Sequence, residues 1–318
     1  MRGFSKVLVT GGAGFIGSHL VDKLISRGYV VVVFDNFHLG EMESFREILG
    51  RSSFEVIEGD IRDRKAVREA MDGVDAVVHL AALIDVEESV NNPLETHDVN
   101  VNGTLNVLNE AVRSSVQKFL FASSTAVYGE GNPLPLEEEH SLNPISPYAA
   151  SKVSAEYYCK AFNSCYGLGT VILRYFNVYG PGQKHGAYSG VITRFLQSAL
   201  KNEPLIVYGD GNQTRDFIHV DDVVEATLLA LENANSNGET FNVCSGMPTS
   251  VNELAETVKK VIGKDLKVNY DKPRKGDIKN NYGDPSKAEK ILGFKAETSL
   301  REGLERLRDS YSDFCSSS

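Results

Sequence analysis

The chain has 318 residues, of which 42% are apolar, 9% aromatic and 24% charged. This is the composition of a globular protein with a sizeable core, and it excludes a fibre, a disulfide-dependent miniprotein and a disordered chain. The formal net charge of -10 argues against binding of nucleic acid or of an anionic membrane, although a few arginines in a cleft could still hold an anionic small molecule.

The four cysteines form no CxxC pair, and no apolar run reaches the length of about 18 residues that a membrane span requires. We therefore expect a cytoplasmic protein with reduced thiols. Neither a membrane partner nor a metal site is expected.

In the first half of the chain, short apolar runs alternate with helical segments. Lys6–Thr10 predicts a strand that stops at glycines, and residues 15–27 repeat apolar side chains at helical spacing. The strands and helices predicted after these cover residues 30–34, 54–57, 65–71, 74–80, 99–112, 118–122, 147–165 and 169–174. Strands that are apolar on both faces and alternate with helices predict an α/β fold with a doubly wound parallel sheet of the Rossmann type.

The regular alternation of apolar runs and helical segments ends after residue 177, where a loop rich in Gly, Pro and Gln precedes shorter elements. Helices are predicted at 191–201, 220–232, 251–262 and 286–292, and strands at 205–207 and 240–243, with a polar GDGNQTRD loop between them. We interpret this part as a smaller C-terminal α/β substrate lobe. The predicted Rossmann domain covers residues 1–177 with a return segment at about 218–244, and the lobe covers 178–217 and 245–318.

A glycine turn lies between the first strand and the first helix. Gly11, Gly14 and Gly17 occur in GGAGFIG, where a dinucleotide site needs a sharp turn, close approach of the backbone to a pyrophosphate and a helix that packs against the sheet. A plain structural turn is the alternative.

Asp35 strengthens the dinucleotide interpretation because it ends the second strand, where a carboxylate can bind the adenosine ribose hydroxyls. It would repel a 2′-phosphate, and the adjacent Asn36 brings no positive charge. NAD is therefore favoured over NADP. Asp60 follows the third strand and could accept a hydrogen bond from the adenine amino group, or could be a helix N-cap or turn residue.

Tyr148 and Lys152 lie one turn apart on a predicted helix. An ammonium held near a phenol, with a cationic nicotinamide beside it, favours the phenolate and lowers the phenol pKa, as a catalytic base requires. The spacing alone is weak, because a surface pair is common. It gains weight because Ser123, Ser124 and Thr125 end the strand at 118–122, and the C-terminal end of such a strand faces the ligand crevice.

Together these features resemble the extended short-chain dehydrogenase/reductase superfamily, in the nucleotide-sugar branch that contains UDP-galactose 4-epimerase. The resemblance runs over essentially the whole chain. The matching segments are GGAGFIGSHL from Gly11, DN from Asp35, GDI from Gly59, HLAA from His79, NVNGT from Asn100, SSTAVYG from Ser123, PYAASK from Pro147, LRYFNVYGP from Leu173, GDGNQTRDFIHVDD from Gly209 and PRKGD from Pro273.

The resemblance implies roles for individual residues. Tyr148 would be the catalytic base and acid, Lys152 would bind the nicotinamide ribose and tune the tyrosine, and Ser124 would hydrogen-bond the sugar 4-hydroxyl. His79 would fill the strand end beside the cofactor. The other residues implied to bind NAD are Gly11, Gly14, Phe15, Ile16, Gly17, Asp35, Asn36, Asp60, Ile61, Leu80, Ala81, Ala82, Asn100 and Phe176. Those implied to bind a UDP-sugar are Thr125, Asn177, Val191, Tyr208, Arg215, Arg274, Asp277 and Asn281.

Among the substrate residues, the resemblance gives Asn177, Arg215 and Arg274 to the diphosphate and Asp277 to the nucleoside ribose. Two positions depart from the family pattern. Gly190 stands where several epimerases have a diphosphate-binding asparagine. Asn281 stands where a bulky aromatic restricts the pocket to plain hexoses, so we expect room for an N-acetyl group. A slip of one residue in that alignment would place Tyr282 there instead.

The resemblance implies an NAD-dependent isomerase that epimerises carbon 4 of a UDP-hexose through a transient 4-keto sugar. A 4,6-dehydratase would need an Asp-Glu pair where this chain has Thr125 and Ala126. A non-catalytic dinucleotide-binding protein would be expected to lack the tyrosine, the lysine or the hydroxyl, and all three are present. A homodimer is expected, because in this family the helices corresponding to 99–112 and 147–165 pair across a twofold axis.

Overall fold

The computed structural model describes residues 4–183, 190–273 and 278–316. The strands are β1 (Lys6–Thr10), β2 (Val30–Asp35), β3 (Phe54–Glu58), β4 (Ala76–His79), β5 (Lys118–Ser124), β6 (Gly169–Tyr175), β7 (Asn177–Tyr179), β8 (Leu205–Tyr208), β9 (Thr214–His219), β10 (Thr240–Val243), β11 (Pro248–Ser250), β12 (Val268–Asp271) and β13 (Asn280–Asn281). The helices are α1 (Phe15–Ser26), α2 (Arg64–Ala70), α3 (Val86–Asn91), α4 (Pro93–His97), α5 (Thr104–Arg113), α6 (Pro147–Tyr166), α7 (Val191–Leu200), α8 (Val220–Glu232), α9 (Val251–Ile262), α10 (Ser286–Leu292) and α11 (Leu300–Ser316).

A seven-stranded parallel sheet forms the larger part of the molecule, in the order β10-β6-β5-β4-β1-β2-β3. The order reverses between β1 and β4, so the carboxyl ends of these strands open the crevice in which doubly wound folds bind ligands. The predicted α/β fold with a Rossmann sheet is confirmed.

Both faces of the sheet are covered by helices, which explains the nearly continuous apolar strands. One face packs with α1 and α8 around side chains such as Leu24 and Val223, and the other packs with α2, α5 and α6 around side chains such as Val107 and Phe162. The strand ends that border the crevice are thus held by a core on each face of the sheet.

The second lobe has its own core, built from α7, α9, α11 and β8. Its strands are short: β9 pairs with β7, β11 and β13, and β12 pairs with β8. The prediction of a polar loop at residues 209–216 is partly wrong, because the last three of these residues belong to strand β9 (Thr214–His219). The return strand β10 joins the large sheet beside β6. The exact division into two domains stays a prediction.

One carboxylate ties the lobe to the large sheet. Asp216 on β9 is buried, and it accepts hydrogen bonds from the backbone N–H groups of Ser245 (2.8 Å) and Gly246 (2.9 Å), just after β10. Burial raises the pKa of Asp216, whereas these hydrogen bonds lower it. The cleft between sheet and lobe is therefore braced by a polar contact at its base.

Two local features position α6 and the helix that precedes it in the chain. Helix α6 begins with Pro147 at its first position, and the Ser146 side chain accepts a hydrogen bond from the N–H of Ala149. The predicted helix at 99–112 is interrupted, because Asp98–Gly103 forms a π-helical turn before α5. Such turns are frequent at functional sites. In the described ranges, no helix is both long and apolar enough to cross a membrane.

Candidate functional site

A large cleft crosses the carboxyl ends of the sheet, with a volume of about 1240 Å³. The predicted cofactor residues that line it are Gly11, Gly14, Phe15, Ile16, Gly17, Asp35, Asn36, Asp60, Ile61, Leu80, Ala81, Ala82, Tyr148, Lys152 and Phe176. A second cavity of about 400 Å³ shares Asn177 and Arg215 with it. The two cavities therefore form one continuous site.

The glycine turn fits a dinucleotide because no side chain could be accommodated at its closest points. Gly11 has φ +68°, and a Cβ there would lie 2.6 Å from the backbone nitrogen of Ala81. At Gly17 a Cβ would collide with the carbonyl oxygen of Gly11. Gly14 is the N-cap of α1 and provides no side-chain cap, which leaves the first N–H groups of that helix for an anionic ligand.

Asp35 closes β2 at the floor of the cleft. Its carboxylate accepts hydrogen bonds from the N–H groups of Ala13 (2.9 Å) and Phe37 (2.8 Å). Burial raises the pKa of Asp35, and the two N–H donors oppose this effect. These bonds fix the carboxylate beside the glycine turn, where it would meet a ribose diol.

Asp60 forms a polar group with two neighbours at the adenosine end of the cleft. Its carboxylate accepts hydrogen bonds from the Arg62 guanidinium, one of 2.7 Å, and from the Asn36 amide at 3.2 Å. The guanidinium holds the pKa of Asp60 down to about 2. Arg62 also lines the cleft, and sequence reasoning missed it although it follows the GDI match directly.

Asn100 lies behind the cleft wall. It is buried in the π-helical turn, where its amide exchanges two hydrogen bonds of 2.8 Å with the backbone of Leu83 and donates one of 3.0 Å to Ser151. His79 is similarly enclosed, with its ring nitrogens bonded to Thr10 (2.6 Å) and Thr104 (2.9 Å), and burial lowers its pKa to about 3. Both residues therefore support the wall, and His79 is a neutral side chain at the strand end.

Tyr148 and Ser124 meet where α6 passes the end of β5. Burial raises the pKa of Tyr148, and a hydrogen bond with the Ser124 side chain opposes that rise. Among the groups of the chain itself, removal from water outweighs the polar neighbours of this phenol, and the lowering expected beside a cationic nicotinamide stays a prediction. A cationic nicotinamide beside it would supply the charge that favours the phenolate.

Lys152 is buried one turn further along α6. Its ammonium donates a 2.9 Å hydrogen bond to the carbonyl of Ala122 and lies 5.9 Å from the centre of the Tyr148 ring. Burial lowers the pKa of Lys152 to about 8, so the side chain is mostly charged at neutral pH. The three predicted catalytic residues, Ser124, Tyr148 and Lys152, are brought together in the cleft.

The sugar end of the cleft is completed by β13. Asn281 is only 4% exposed, and its side-chain oxygen accepts a hydrogen bond of 3.1 Å from the Thr125 hydroxyl. Asn281 lines the cleft together with Ser124 and Thr125. Tyr282 does not line the cleft, so the lining side chain at this point is Asn281.

The second cavity brings together the remaining predicted substrate residues that the structure describes, which are Asn177, Val191, Tyr208 and Arg215. Asn177 donates a 3.0 Å hydrogen bond to the carbonyl of Asp216. Arg274 and Asp277, predicted to bind the diphosphate and the ribose, lie outside the described residues.

Helix α7 adds a feature that the sequence did not reveal. Its N-cap is Gly190, which provides no side-chain cap, and Arg194 in the first turns of the helix lines the second cavity with Arg215. A helix N-terminus and two guanidinium groups favour an anionic ligand such as a diphosphate. Arg194 could have been noted from the sequence, because it follows Gly190 by four residues, and Gly190 is the position that lacks the diphosphate-binding asparagine of several epimerases.

The glycine turn, the ribose carboxylate and the Tyr-Lys-Ser group together define a dinucleotide-dependent enzyme of the short-chain dehydrogenase/reductase type. The model of the NAD dependent epimerase/dehydratase family matches residues 7–244. A protein of Methanocaldococcus jannaschii, provisionally named UDP-glucose 4-epimerase, is 46% identical over 303 residues, which is 95% of this chain and 96% of the relative.

Two solved structures extend the similarity. The UDP-glucose 4-epimerase of Thermotoga maritima with UDP-glucose is 39% identical and superimposes with a TM-score of 0.92 over 98% of this chain and 99% of that one. The UDP-N-acetylglucosamine 4-epimerase of Methanobrevibacter ruminantium M1, in complex with UDP-N-acetylmuramic acid, is 37% identical, with a TM-score of 0.93 over 99% and 100% of the two chains.

This chain belongs to the NAD dependent epimerase/dehydratase family, and the resemblance to nucleotide-sugar epimerases is confirmed. Its cofactor is NAD, as in related structures that contain NAD. Other matches are named as a UDP-glucuronic acid decarboxylase and a dTDP-glucose 4,6-dehydratase. The relatives of this chain therefore include epimerases, a decarboxylase and a dehydratase that act on nucleotide sugars.

Proposed function

We propose that the protein is an isomerase that interconverts the carbon-4 epimers of a UDP-hexose. The observation that carries this proposal is the convergence of Ser124, Tyr148 and Lys152 between a dinucleotide site at one end of the cleft and two arginines at the other. A nucleotide sugar laid along the cleft would present its sugar to the three catalytic residues and its diphosphate to the arginines.

NAD, when bound, would take a hydride from carbon 4 of the sugar and later return it. The phenol oxygen of Tyr148 accepts the 4-hydroxyl proton, and the Ser124 hydroxyl holds that oxygen in place. The Lys152 ammonium favours the phenolate that starts the reaction. Tyr148 then gives the proton back. Because the hydride is also returned, the sugar undergoes no net oxidation.

Inversion requires the 4-keto sugar to turn over while the nucleotide stays bound. Arg194, Arg215 and the N-terminus of α7 surround the second cavity, and we assign them to the diphosphate. Guanidinium groups bind phosphate oxygens in paired, strong hydrogen bonds. The sugar, joined to the diphosphate through a single anomeric oxygen, can rotate inside the wider part of the cleft.

Dehydration is disfavoured because its acid and base are missing. Thr125 and Ala126 follow the strand-end hydroxyl, and the Thr125 hydroxyl is engaged with Asn281. Neither side chain can protonate a leaving hydroxyl at carbon 6 at neutral pH. Asn281, rather than a bulky aromatic, lines the cleft beside Thr125, which favours space for a 2-acetamido group, so UDP-GlcNAc and UDP-GalNAc are proposed substrates beside UDP-Glc and UDP-Gal.

The test is incubation of the purified protein with UDP-Glc and with UDP-GlcNAc separately, without added NAD, followed by separation of the epimers. We expect a mixture of both epimers from each substrate and no accumulation of an oxidised or dehydrated product. Release of carbon dioxide from a UDP-uronic acid, or a 4-keto-6-deoxy product, without epimerisation would reject the proposal in favour of a decarboxylase or a dehydratase.

We further propose a homodimer formed through the helices at 99–112 and 147–165. Apolar side chains are exposed on α6 and on α4, the helix that directly precedes the first of these segments, among them Tyr157 at 59% and Leu94 at 85%, and burial of such a surface favours association. Light scattering at micromolar concentration should give twice the 34.8 kDa of one chain. The free thiols of Cys159, Cys165 and Cys244 support the proposed cytoplasmic location.

A further inference from the structure

A buried ion pair lies directly behind the catalytic strand end. Glu156 on α6 is 0% exposed and Arg174 on β6 is 1% exposed. The Arg174 guanidinium donates two hydrogen bonds, of 2.9 Å and 2.8 Å, to the two carboxylate oxygens of Glu156. Removal of two charges from water is costly, and a pair that is retained in this position calls for a role beyond stability.

The pair is connected to the catalytic residues through β5. The Ser123 hydroxyl donates a 2.5 Å hydrogen bond to Glu156. Ser123 lies between Ala122, whose carbonyl accepts the Lys152 hydrogen bond, and Ser124. Glu156 also follows Lys152 by four residues on the same helix, so both side chains project from one face. Glu156 is thus linked to Lys152 through the end of β5 and lies one turn from it on α6.

Arg174 also donates hydrogen bonds to groups other than Glu156. Its guanidinium donates to the Tyr128 hydroxyl at 2.8 Å and to the carbonyl of Glu138 at 2.9 Å, and Tyr128 in turn donates to Asn242 on β10 at 2.6 Å. Every residue of this network is buried or half-buried. The guanidinium that pairs with Glu156 is therefore itself fixed by hydrogen bonds to Tyr128 and Glu138.

We propose that Glu156 is a positioning residue that keeps Lys152 charged and orders the end of β5 for catalysis. This inference rests on the proposed function, because it assigns a role within the same site. Glu156 does not line the cleft. Its effect should consequently appear in the proton equilibrium of Lys152 and in kcat, and only weakly in KM.

The other groups that face Lys152 carry no charge at neutral pH. Burial lowers the pKa of His79 to about 3 and raises the pKa of the Cys159 thiol, so the first is unprotonated and the second protonated. Burial also raises the pKa of Tyr148. Burial lowers the pKa of Lys152 itself, and Cys159 and Glu156 oppose that effect. With the thiol protonated, the anion that acts on Lys152 at neutral pH is Glu156.

The experiment is an NMR titration of the purified protein with 13C-labelled lysine, in which the Lys152 signal is assigned from its loss in Lys152→Arg. In Glu156→Gln, Lys152 should lose its proton at a pH about 1 unit lower than in the wild type, since an adjacent anion is removed. The alkaline limb of the kcat profile should shift in the same direction, with KM changed less than about twofold, because the substrate contacts remain.

Glu110→Gln is the matched control. Glu110 is also 0% exposed and is paired with Arg64 and Arg68, so the change removes the same buried charge at a site that does not line the cleft. If Lys152 titrates at the wild-type pH in Glu156→Gln, or if Glu110→Gln moves it equally, the inference is overturned. Failure of the wild type to epimerise would instead reject the proposed function, and the titration remains readable.

A second variant covers the case in which Glu156→Gln does not fold, because it leaves a buried guanidinium without its anion. Glu156→Leu combined with Arg174→Met removes both charges and fills the space with apolar side chains, an exchange that folded proteins often tolerate. The proposal expects a downward displacement of the Lys152 titration in this double variant too, smaller than in Glu156→Gln because the positive charge of Arg174 is removed together with the carboxylate. An unchanged titration there overturns it.

Discussion

The two walls of the cleft differ in how their residues are held. The sheet wall is defined by Gly11, Asp35, Ser124, Tyr148 and Lys152, which lie at the carboxyl ends of the parallel strands and on the adjacent helix α6. Its polar groups are hydrogen-bonded to backbone amides, to a backbone carbonyl or to each other. The lobe wall, defined by Asn177, Val191, Arg194, Arg215 and Asn281, lies on strands of two to six residues and at a helix start.

This difference suggests a division of labour. Residues of the sheet wall are fixed before the substrate arrives, as groups that touch the reacting atoms must be. Residues of the lobe wall offer guanidinium groups, a helix N-terminus and an amide, which suit recognition of a particular nucleotide sugar. Changes in the sheet wall should therefore reduce kcat, and changes in the lobe wall should affect KM and the choice of sugar.

The largest effect is expected for Tyr148→Phe. This change removes the proton acceptor and leaves the glycine turn intact, so kcat should fall by about 10²- to 10⁴-fold while NAD still copurifies. Steady-state rates and the absorbance of the released cofactor measure the two quantities. Tyr166→Phe at the exposed C-terminal end of the same helix is the control and should leave both quantities unchanged. Retention of more than about a tenth of the rate would exclude Tyr148 as the base.

Lys152→Met should lower kcat by about 10- to 100-fold, because the phenolate of Tyr148 loses its cationic neighbour, and one pKa unit corresponds to a factor of about ten. Removal of a positive charge raises the phenol pKa, so the ascending limb of the pH profile moves to higher pH. A wild-type decline near pH 8, where Lys152 loses its proton, should disappear. Lys160→Met on the surface of α6 serves as the control, and an unchanged profile in Lys152→Met would contradict this role.

The sheet wall was largely predictable from sequence, and the reason is physical. Its strands are apolar on both faces, its turn needs glycine at Gly11 and Gly17 because a Cβ would meet backbone, and its carboxylate closes a strand. Each of these requirements is met by a short local pattern. The cavity then follows from the order of parallel strands, which the fold class determines.

The lobe wall could not be predicted to the same degree, because it depends on contacts between distant segments. Thr214–Asp216 of β9 was predicted as part of a loop, because the pairing of β9 with β7, β11 and β13 provides hydrogen bonds that the local sequence does not suggest. Arg194 and Arg62 are ordinary surface arginines in sequence and become cleft residues only through tertiary placement. The Glu156–Arg174 pair likewise joins a helix to a strand 18 residues later.

Arg215→Met tests the lobe wall by its effect on binding. A hydrogen bond to a charged group contributes about 1.5 to 3 kcal/mol, so loss of one should raise KM for a UDP-sugar by about 10- to 100-fold. We expect kcat to change by less than about threefold, because Arg215 does not contact the reacting carbon in the proposed pose. Arg301→Met on the exposed face of α11 is the control. A fall in kcat with KM unchanged would contradict the division between the two walls.

The smallest and most selective effect is expected at Asn281. This buried side chain lines the sugar end of the cleft through its contact with Thr125. In Asn281→Tyr the larger ring would occupy the volume that an acetamido group needs, and overpacking a tight site costs about 1 to 3 kcal/mol. Turnover of UDP-GlcNAc should therefore fall by about tenfold or more, while UDP-Glc, which lacks the group, should be spared.

Asn280→Tyr is the matched control for this prediction, because Asn280 is exposed, precedes Asn281 on β13 and does not line the cleft. Its ratio of kcat/KM for the two sugars should stay at the wild-type value. The comparison of the two ratios removes any general loss of stability, which would affect both substrates alike. Equal losses for UDP-Glc and UDP-GlcNAc in Asn281→Tyr would show that another part of the wall limits the size of the sugar. In that case we would assign binding of the nucleotide to the lobe wall and selection of the sugar to the sheet wall.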